Sequence, residues 1–285
     1  MGTGGWRDEG GIRVTPEPDL APDPDLAPDP DLAPDPAVPA APGAWDGRPS
    51  LWLLRTPERG EPYPLLDDSA LDADERARAA AFVRSSDRDL YLAAHISLRR
   101  LLGACLGTSP GSVTFTREPC PQCGGPHGRP ALAGPRPPLH FSLAHCEQLV
   151  LICVAGSPVG VDAERVPDPG AVDDLVKELH PAERADLAAL PAGSRAAAFC
   201  RVWSRKEAYL KGVGVGLGRA LDADYVGDRP RHGAVHPSGW SLRSLDLGPQ
   251  CGTHAAAVAL RDTVLPVVRV LPDAYPHTPQ QVRLT

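Results

Sequence analysis

The chain has 285 residues, of which 42% are hydrophobic and 23% charged, enough for a sizeable core in one large domain or two small ones. Its formal charge of −7 resides in residues 1–49, which hold ten acidic residues and three arginines, while the remainder is neutral. The neutral remainder of the chain lacks the excess of basic residues that a general nucleic-acid-binding protein needs. No stretch approaches the roughly 20 apolar residues of a membrane span. We therefore expect neither nucleic-acid nor membrane partners.

The first segment is an acidic arm in which the hexapeptide DLAPDP occurs three times, over residues 19–36. Proline removes backbone donors, aspartates repel one another, and one leucine per repeat cannot build a core. We therefore predict a disordered arm over residues 1–49. The start of the chain lacks a basic stretch followed by an apolar one, so we expect no secretory signal. Seven unevenly spaced cysteines do not suggest a disulfide framework, and we expect a reduced, cytoplasmic protein.

Folding signals follow from residue 50 onward. The pattern predicts strands over residues 51–54, 140–144, 149–155, 159–166, 240–247, 254–260 and 264–271. It predicts a helix over residues 72–105, short helices over 167–189 broken at Pro181, and a helix over 196–211 ended by Gly212. Intermixed strands and helices are typical of a mixed α+β or α/β protein, and we expect the α+β class.

Three short segments carry residues suited to chemistry. On a strand, Asp162 and Glu164 share one face, and two adjacent carboxylates suit a hard cation such as Mg²⁺; the alternative is the polar face of a half-exposed strand. On a helix, Glu207 and Lys211 also share one face, where they could bind metal and phosphate; the alternative is a solvated ion pair. His145 ends a strand and suits a phosphate contact, although a single histidine is more often structural.

Taken together and in this order, the segments resemble the Sfp-type 4′-phosphopantetheinyl transferases. The two signature motifs of that family match VGVDAE at residues 159–164 and WSRKEAYLK at residues 203–211. The family's upstream histidine matches His145, and its glycine, basic residue, proline step matches residues 128–130. The resemblance runs from about residue 50 to about residue 270. One departure is Ala144, which stands where the family often has serine, while Ser142 lies two residues earlier.

The resemblance implies an activity and a fold. The family transfers the phosphopantetheine arm of coenzyme A to a serine of apo carrier proteins in fatty acid, polyketide or nonribosomal peptide synthesis, and releases adenosine 3′,5′-bisphosphate. It also implies two similar halves related by a pseudo-twofold axis, with coenzyme A between them. We place the N-terminal half at residues 50–158 and the C-terminal half, with the Mg²⁺ motifs, at residues 159–285. Relatives of this length are usually monomers.

The resemblance also assigns roles to residues. The expected Mg²⁺ ligands are Asp162, Glu164 and Glu207. Glu207 is also the expected general base, and Lys211 is placed to stabilise or protonate the departing phosphate. The expected coenzyme A contacts are basic side chains, namely Arg84, Arg88, Arg129, His145, Lys206 and Lys211. Arg84 and Arg88 compete for one position at the 3′-phosphate.

A loop rich in cysteine and glycine precedes Arg129. Cys120, Cys123 and His127 offer three soft ligands at a spacing suited to zinc. A structural zinc needs a fourth ligand, and the sequence has no second CxxC motif to supply it. Cys105, His140 or Cys146 could be the fourth ligand only if the fold brings one of them close. The alternative is a reduced cysteine pair that stiffens the loop.

Two other functions compete with catalysis. A degenerate relative would bind coenzyme A or a carrier protein without turnover, but it would be expected to lose one of the four acidic or basic motif residues, and all four are present. An interaction protein would act through its acidic arm, and deletion of residues 1–48 would separate that function from the enzyme.

Overall fold

The computed structural model describes residues 45, 47–56, 68–134, 139–228, 233–247, 251–261, 266–270 and 283–284. Nearly all of the predicted acidic arm, residues 1–44 and 46, lies outside the described residues. The helices are α1 (Ala73–Ala80), α2 (Ser85–Leu106), α3 (Pro169–Leu175), α4 (Pro181–Ala188) and α5 (Ala192–Val213). The strands are β1 (Ser50–Arg55), β2 (Phe115–Arg117), β3 (Pro130–Leu132), β4 (His140–Cys146), β5 (Leu149–Ala155), β6 (Val159–Arg165), β7 (Ser241–Asp246), β8 (His254–Leu260), β9 (Val267–Val270) and β10 (Arg283–Leu284). The predicted α+β class is confirmed.

Two four-stranded sheets form the body of the protein, in the orders β4-β5-β1-β9 and β10-β7-β8-β6. Strands β2 and β3 pair separately as a short hairpin. In the first sheet β1 runs antiparallel to β5 and parallel to β9, so a strand from the C-terminal part of the chain completes that sheet. In the second sheet all three pairs are antiparallel.

Strand β5 shows how the sequence builds the core. Its seven residues are all buried, and because successive side chains point to opposite faces, the strand serves two clusters. Val150, Ile152 and Val154 pack with the apolar face of α2. Leu149, Leu151, Cys153 and Ala155 pack instead with residues of β6 and β8. The two sheets therefore share one apolar layer, and α2 covers the outer face of the first sheet.

Helix α5 covers the outer face of the second sheet. Ala208 and Leu210 of α5 pack against Ala257 and Ala259 of β8 in a third cluster. Helices α2 and α5 each contain 22 residues. None of the helices in the described part of the chain is long and apolar enough to cross a membrane.

The long helices differ from the sequence expectation at their boundaries, and α5 begins at Ala192 instead of residue 196. The helix predicted over residues 72–105 is divided into α1, which ends at Ala80, and α2, which begins at Ser85 after Arg84 in an extended backbone conformation. Helix α5 continues through Gly212 and ends at Val213, with Gly214 in the left-handed conformation at φ 87°. Gly212 serves close packing instead, because a Cβ there would lie 2.6 Å from the Trp240 ring.

Candidate active site

The site forms where β6 packs directly against α5, and two glycines make this approach possible. A Cβ on Gly160 would lie 1.9 Å from the carbonyl oxygen of Ala208 and 2.5 Å from the amide nitrogen of Gly212. No side chain larger than hydrogen fits at that position without separating strand from helix. The glycine before the acidic pair therefore brings the carboxylates of β6 to the face of α5.

Alternation along β6 sets the direction of its side chains. Val159, Val161 and Ala163 face the apolar layer between the sheets, so Asp162 and Glu164 share the opposite face, as predicted. Asp162 is 3% exposed, and its Oδ1 accepts a hydrogen bond from Lys211 Nζ at 2.6 Å. The structure thus brings Asp162 and Lys211, from the two separate motifs, into direct contact.

Glu164 and Glu207 complete the acidic cluster around this pair. The Trp203 side chain lies beside Glu164 and acts to lower the pKa of that carboxyl group, so the aromatic residue of the second motif borders the cluster. Three carboxylates and one ammonium leave an excess of negative charge. The ligand oxygens of Asp162, Glu164 and Glu207 do not all lie within 4.8 Å of one another, so they do not form one compact group.

The pKa values of the three carboxyl groups reflect this crowding. Burial, then the charge of Asp162, raises the pKa of Glu164 to about 7, and Glu207 adds to the effect. Burial also raises the pKa of Glu207 and of Asp162, although Lys211 opposes both shifts. Asp162 Oδ2 is buried and has no hydrogen-bond partner in the described part of the chain. Oxygen donors, excess negative charge and an orphaned carboxylate oxygen together fit a hard divalent cation.

His145 lies near this cluster, on β4 of the other sheet. Burial, then the positive charges of His95 and Lys211, lowers the pKa of His145 to about 4, so its imidazole is neutral at pH 7 although part of the ring is exposed. Arg78 of α1 contributes to the same shift, which places a further basic group in this region. Arg78 lies outside every motif, so no pattern in the sequence pointed to it.

Ser142 connects the two sheets. Its hydroxyl accepts a hydrogen bond from the backbone N–H of Val161 at 3.0 Å, and Ser142 is 8% exposed. The bond joins β4 to β6, next to Asp162. Because this oxygen is buried and engaged, Ser142 holds the site together and is not available for a contact with a ligand.

Lys206 lies apart from the other basic candidates, since it is buried inside the protein. It is 2% exposed, and its Nζ contacts the carbonyl oxygens of Leu221 and Asp224, each at 2.7 Å, and Glu183 Oε2 at 2.8 Å. Glu183 is itself fully buried. This arrangement engages all three protons of the ammonium within the fold.

The remaining basic candidates divide into engaged and exposed side chains. Arg129 forms an ion pair with Glu118 at 2.6 Å and donates to the Gly212 carbonyl oxygen at 2.7 Å. Arg84 and Arg88 are exposed at the start of α2. Arg129 thus stabilises the last turn of α5, whereas Arg84 and Arg88 are accessible to a ligand.

An open cavity of about 430 Å³ lies beside the C-terminal end of α5. Arg129, Tyr209, Trp240 and Arg261 contribute to its lining, and the Arg261 guanidinium lies 5.7 Å from the centre of the Trp240 ring. Guanidinium groups beside aromatic rings can bind an anionic or planar group. Neither Trp240 nor Arg261 belongs to a motif, so no pattern in the sequence pointed to them.

Comparison with known proteins identifies related sequences. Residues 158–258 match the family model of the 4′-phosphopantetheinyl transferase superfamily. The chain is 32% identical over 208 residues to the 4′-phosphopantetheinyl transferase HetI of Nostoc sp., covering 70% of this chain and 83% of that protein. It is 28% identical over 155 residues to a 4′-phosphopantetheinyl transferase of Bacillus subtilis, covering 54% of this chain and 65% of that protein. The matched segment contains β6 and α5, and with them all four residues of the acidic cluster.

Proposed function

Because the chain belongs to the 4′-phosphopantetheinyl transferase superfamily, we propose that it transfers the 4′-phosphopantetheine group of coenzyme A to a serine of an apo carrier protein. Adenosine 3′,5′-bisphosphate is the second product. The observation that supports this activity is the buried contact between Asp162 and Lys211, with Glu164 and Glu207 beside it. A reaction at a pyrophosphate needs negative charge neutralised and a proton removed, and this cluster offers groups for both tasks.

We further propose that Asp162, Glu164 and Glu207 hold Mg²⁺. The orphaned Asp162 Oδ2 and the raised pKa values of the carboxyl groups support this assignment. When bound, the ion would neutralise part of the pyrophosphate charge. Binding would require the carboxylate oxygens to come closer together, since they do not form one compact group.

Glu207 and Lys211 have complementary functions in the proposed reaction. The Glu207 carboxylate takes the proton of the serine hydroxyl, and burial, which raises the pKa of Glu207, makes it a better base. The serine oxygen forms a bond to phosphorus while the bond from phosphorus to the bridging oxygen breaks. The electron pair of that bond leaves on adenosine 3′,5′-bisphosphate, and the Lys211 ammonium stabilises the new charge by hydrogen bonding.

Coenzyme A binding is assigned to the accessible basic groups. Neutral His145 can donate one hydrogen bond to a phosphate oxygen, and Arg84 or Arg88 supplies charge for the 3′-phosphate. Arg129 acts through its support of α5. We assign Lys206 to folding instead, because its ammonium is engaged inside the protein.

The carrier protein and its pathway are proposed only as a class: acyl, peptidyl or aryl carrier domains. We propose that the enzyme works as a monomer in a reducing compartment such as the cytoplasm. The thiols of its seven cysteines, all free of disulfides, support the reducing environment.

Intact-mass spectrometry tests the activity and its metal dependence together. The full chain is mixed with coenzyme A, Mg²⁺ and an apo carrier protein, and a parallel sample contains EDTA. We expect the carrier to gain the mass of one phosphopantetheine group with Mg²⁺ and none with EDTA. Full activity in EDTA would refute the metal assignment.

Two variants distinguish the proposed enzyme from the alternative, a non-catalytic binding protein. Glu207→Gln should abolish transfer with a much smaller loss of coenzyme A binding, whereas Glu178→Gln, on an exposed turn, should leave both unchanged. If the wild-type chain binds coenzyme A but modifies none of the acyl, peptidyl and aryl carriers, the chain is a non-catalytic binding protein. Near-normal turnover by Glu207→Gln would refute its function as the base.

A further inference from the structure

A second cluster of potential metal ligands lies in the loop between β2 and β3. The ligand atoms of Cys120, Cys123 and His127 all lie within 4.8 Å of one another, and Cys123 Sγ is 2.9 Å from His127 Nε2. Zinc binds sulfur at about 2.3 Å and nitrogen at about 2.0–2.1 Å, so ligands around one ion are about 3.5–3.8 Å apart. The three atoms are close enough together for one zinc ion to reach all of them, and Cys123 Sγ and His127 Nε2 would move apart by about 0.6 Å to bind it.

The backbone of this loop closes around the two cysteines. The N–H of Gly125 donates to Cys123 Sγ at 3.4 Å. Hydrogen bonds at 2.7 and 2.8 Å join Cys120 to Gly125 and Gly124 and close the loop. Backbone donors aimed at sulfur stabilise thiolates, which are the form of cysteine that binds metal.

Because Gly125 has no side chain, the ligands have room to lie close to one another. A Cβ at this position would lie 3.0 Å from the His127 ring and 3.3 Å from Cys123 Sγ. A larger residue would therefore press on two of the three ligands. The glycine permits the histidine and the second cysteine to approach each other.

We propose that Cys120, Cys123 and His127 bind one zinc ion, with water as the fourth ligand. Within the described residues, no other cysteine, histidine, aspartate or glutamate joins the group, so Cys105, His140 and Cys146 do not supply the fourth ligand. Cys120 is buried while Cys123 and His127 are exposed, so the fourth position faces solvent. Binding converts two thiols to thiolates, and their protons are released to solvent.

The loop is joined to the end of α5, which indicates what the zinc would do. The Gly128 N–H donates to the Glu118 carbonyl oxygen at 2.9 Å, and the Glu118 carboxylate forms an ion pair with Arg129. Arg129 in turn binds the Gly212 carbonyl oxygen. Zinc would fix the loop whose base supports the last turn of α5, so it stabilises the fold and takes no part in the phosphate chemistry.

Substitution with cobalt tests the site directly on the full chain. Tetrahedral Co²⁺ bound by thiolates gives charge-transfer and visible absorption bands that a carboxylate site does not produce. We expect these bands to saturate at about one Co²⁺ per chain, and added Zn²⁺ to abolish them. We expect elemental analysis of the zinc-loaded, desalted protein to give about one zinc per chain.

Variants locate the ion and separate it from the Mg²⁺ cluster. Cys120→Ser and Cys123→Ser should each abolish the thiolate bands and the retained zinc, and His127→Ala should weaken both. The matched control Cys105→Ser should keep both, and so should Asp162→Asn. The absence of thiolate bands from folded wild-type protein, or bands that persist in Cys123→Ser, would overturn the proposal.

Discussion

The buried ion pair between Lys206 and Glu183 leads to a sharp prediction about stability. Lys206 is 2% exposed and Glu183 is fully buried, so neither charge can be solvated if its partner is removed. Lys206→Met keeps the length of the side chain but removes the ammonium. In the variant the Glu183 carboxylate and the carbonyl oxygens of Leu221 and Asp224 lose the hydrogen bonds that the Lys206 ammonium donates.

The size of the loss follows from what Glu183 retains. Removing one partner of a buried pair costs about 3–5 kcal/mol. Glu183 still accepts the backbone N–H groups of Val226 at 2.7 Å and His180 at 3.1 Å, so we expect a loss near the lower end of that range. For a protein of this size, about 3 kcal/mol corresponds to a fall in melting temperature of roughly 6–12 °C.

Denaturant and thermal unfolding measure this effect, and an exposed pair provides the control. Lys177 and Asp174 are 2.6 Å apart, but their side chains are 70% and 90% exposed, so Lys177→Met should leave the stability unchanged. The double variant Lys206→Met with Glu183→Gln should recover part of the loss, with a coupling energy of about 1–3 kcal/mol. If Lys206→Met retains wild-type stability and raises the KM for coenzyme A, our assignment of Lys206 to the fold is wrong.

The other predictions concern the strand contacts and the pH dependence of stability. Gly160→Ala should lower the free energy of unfolding by about 3 kcal/mol or more, because its Cβ would lie 1.9 Å from the Ala208 carbonyl oxygen. Mg²⁺ binding, measured by calorimetry, should become weaker as well. Unchanged Mg²⁺ binding would contradict this reasoning. Ser142→Ala should lower the free energy of unfolding, measured with denaturant, by about 1–3 kcal/mol, because it leaves the Val161 N–H buried without its acceptor. A loss below a few tenths of a kcal/mol would show that the packing of β4 on β6 does not depend on that bond. Burial raises the pKa of Glu75, but hydrogen bonds and the charges of His95 and Arg99 outweigh burial and hold the pKa below its ordinary value of 4.5. The stability that Glu75 contributes is therefore complete above pH 4.5 and is lost as the pH falls through the lower pKa of the folded protein, so Glu75→Gln should flatten the acid side of a plot of melting temperature against pH.

Local patterns in the sequence account for much of the fold. The run of residues 149–155 predicts a strand buried on both faces, and β5 has these bounds. Alternation around Asp162 correctly predicts that the acidic pair shares a face. Both inferences succeed because they depend on the period of a single strand.

Contacts between distant segments are what the sequence could not supply. Lys206 precedes Glu207 in the motif, yet one residue turns a helix by about 100°, so the two side chains point in different directions. Its partner Glu183 lies on α4 with no spacing that marks the pair. The cluster of Cys120, Cys123 and His127 is the contrasting case, because its three ligands lie within eight residues and their spacing alone predicts that they meet.

The position of the acidic cluster between β6 and α5 has a consequence for substrate binding. Its carboxylates come from β6 and α5, while His145 comes from β4 of the other sheet and Arg84 and Arg88 from the start of α2. Negative groups that suit a cation and basic groups that suit phosphates are therefore supplied by different sheets and their helices. A ligand that needs both must contact both, so its affinity depends on how firmly β4 is held to β6. The Ser142 bond to Val161 joins these two strands beside Asp162, and Ser142→Ala should therefore weaken coenzyme A binding although its hydroxyl is engaged within the fold.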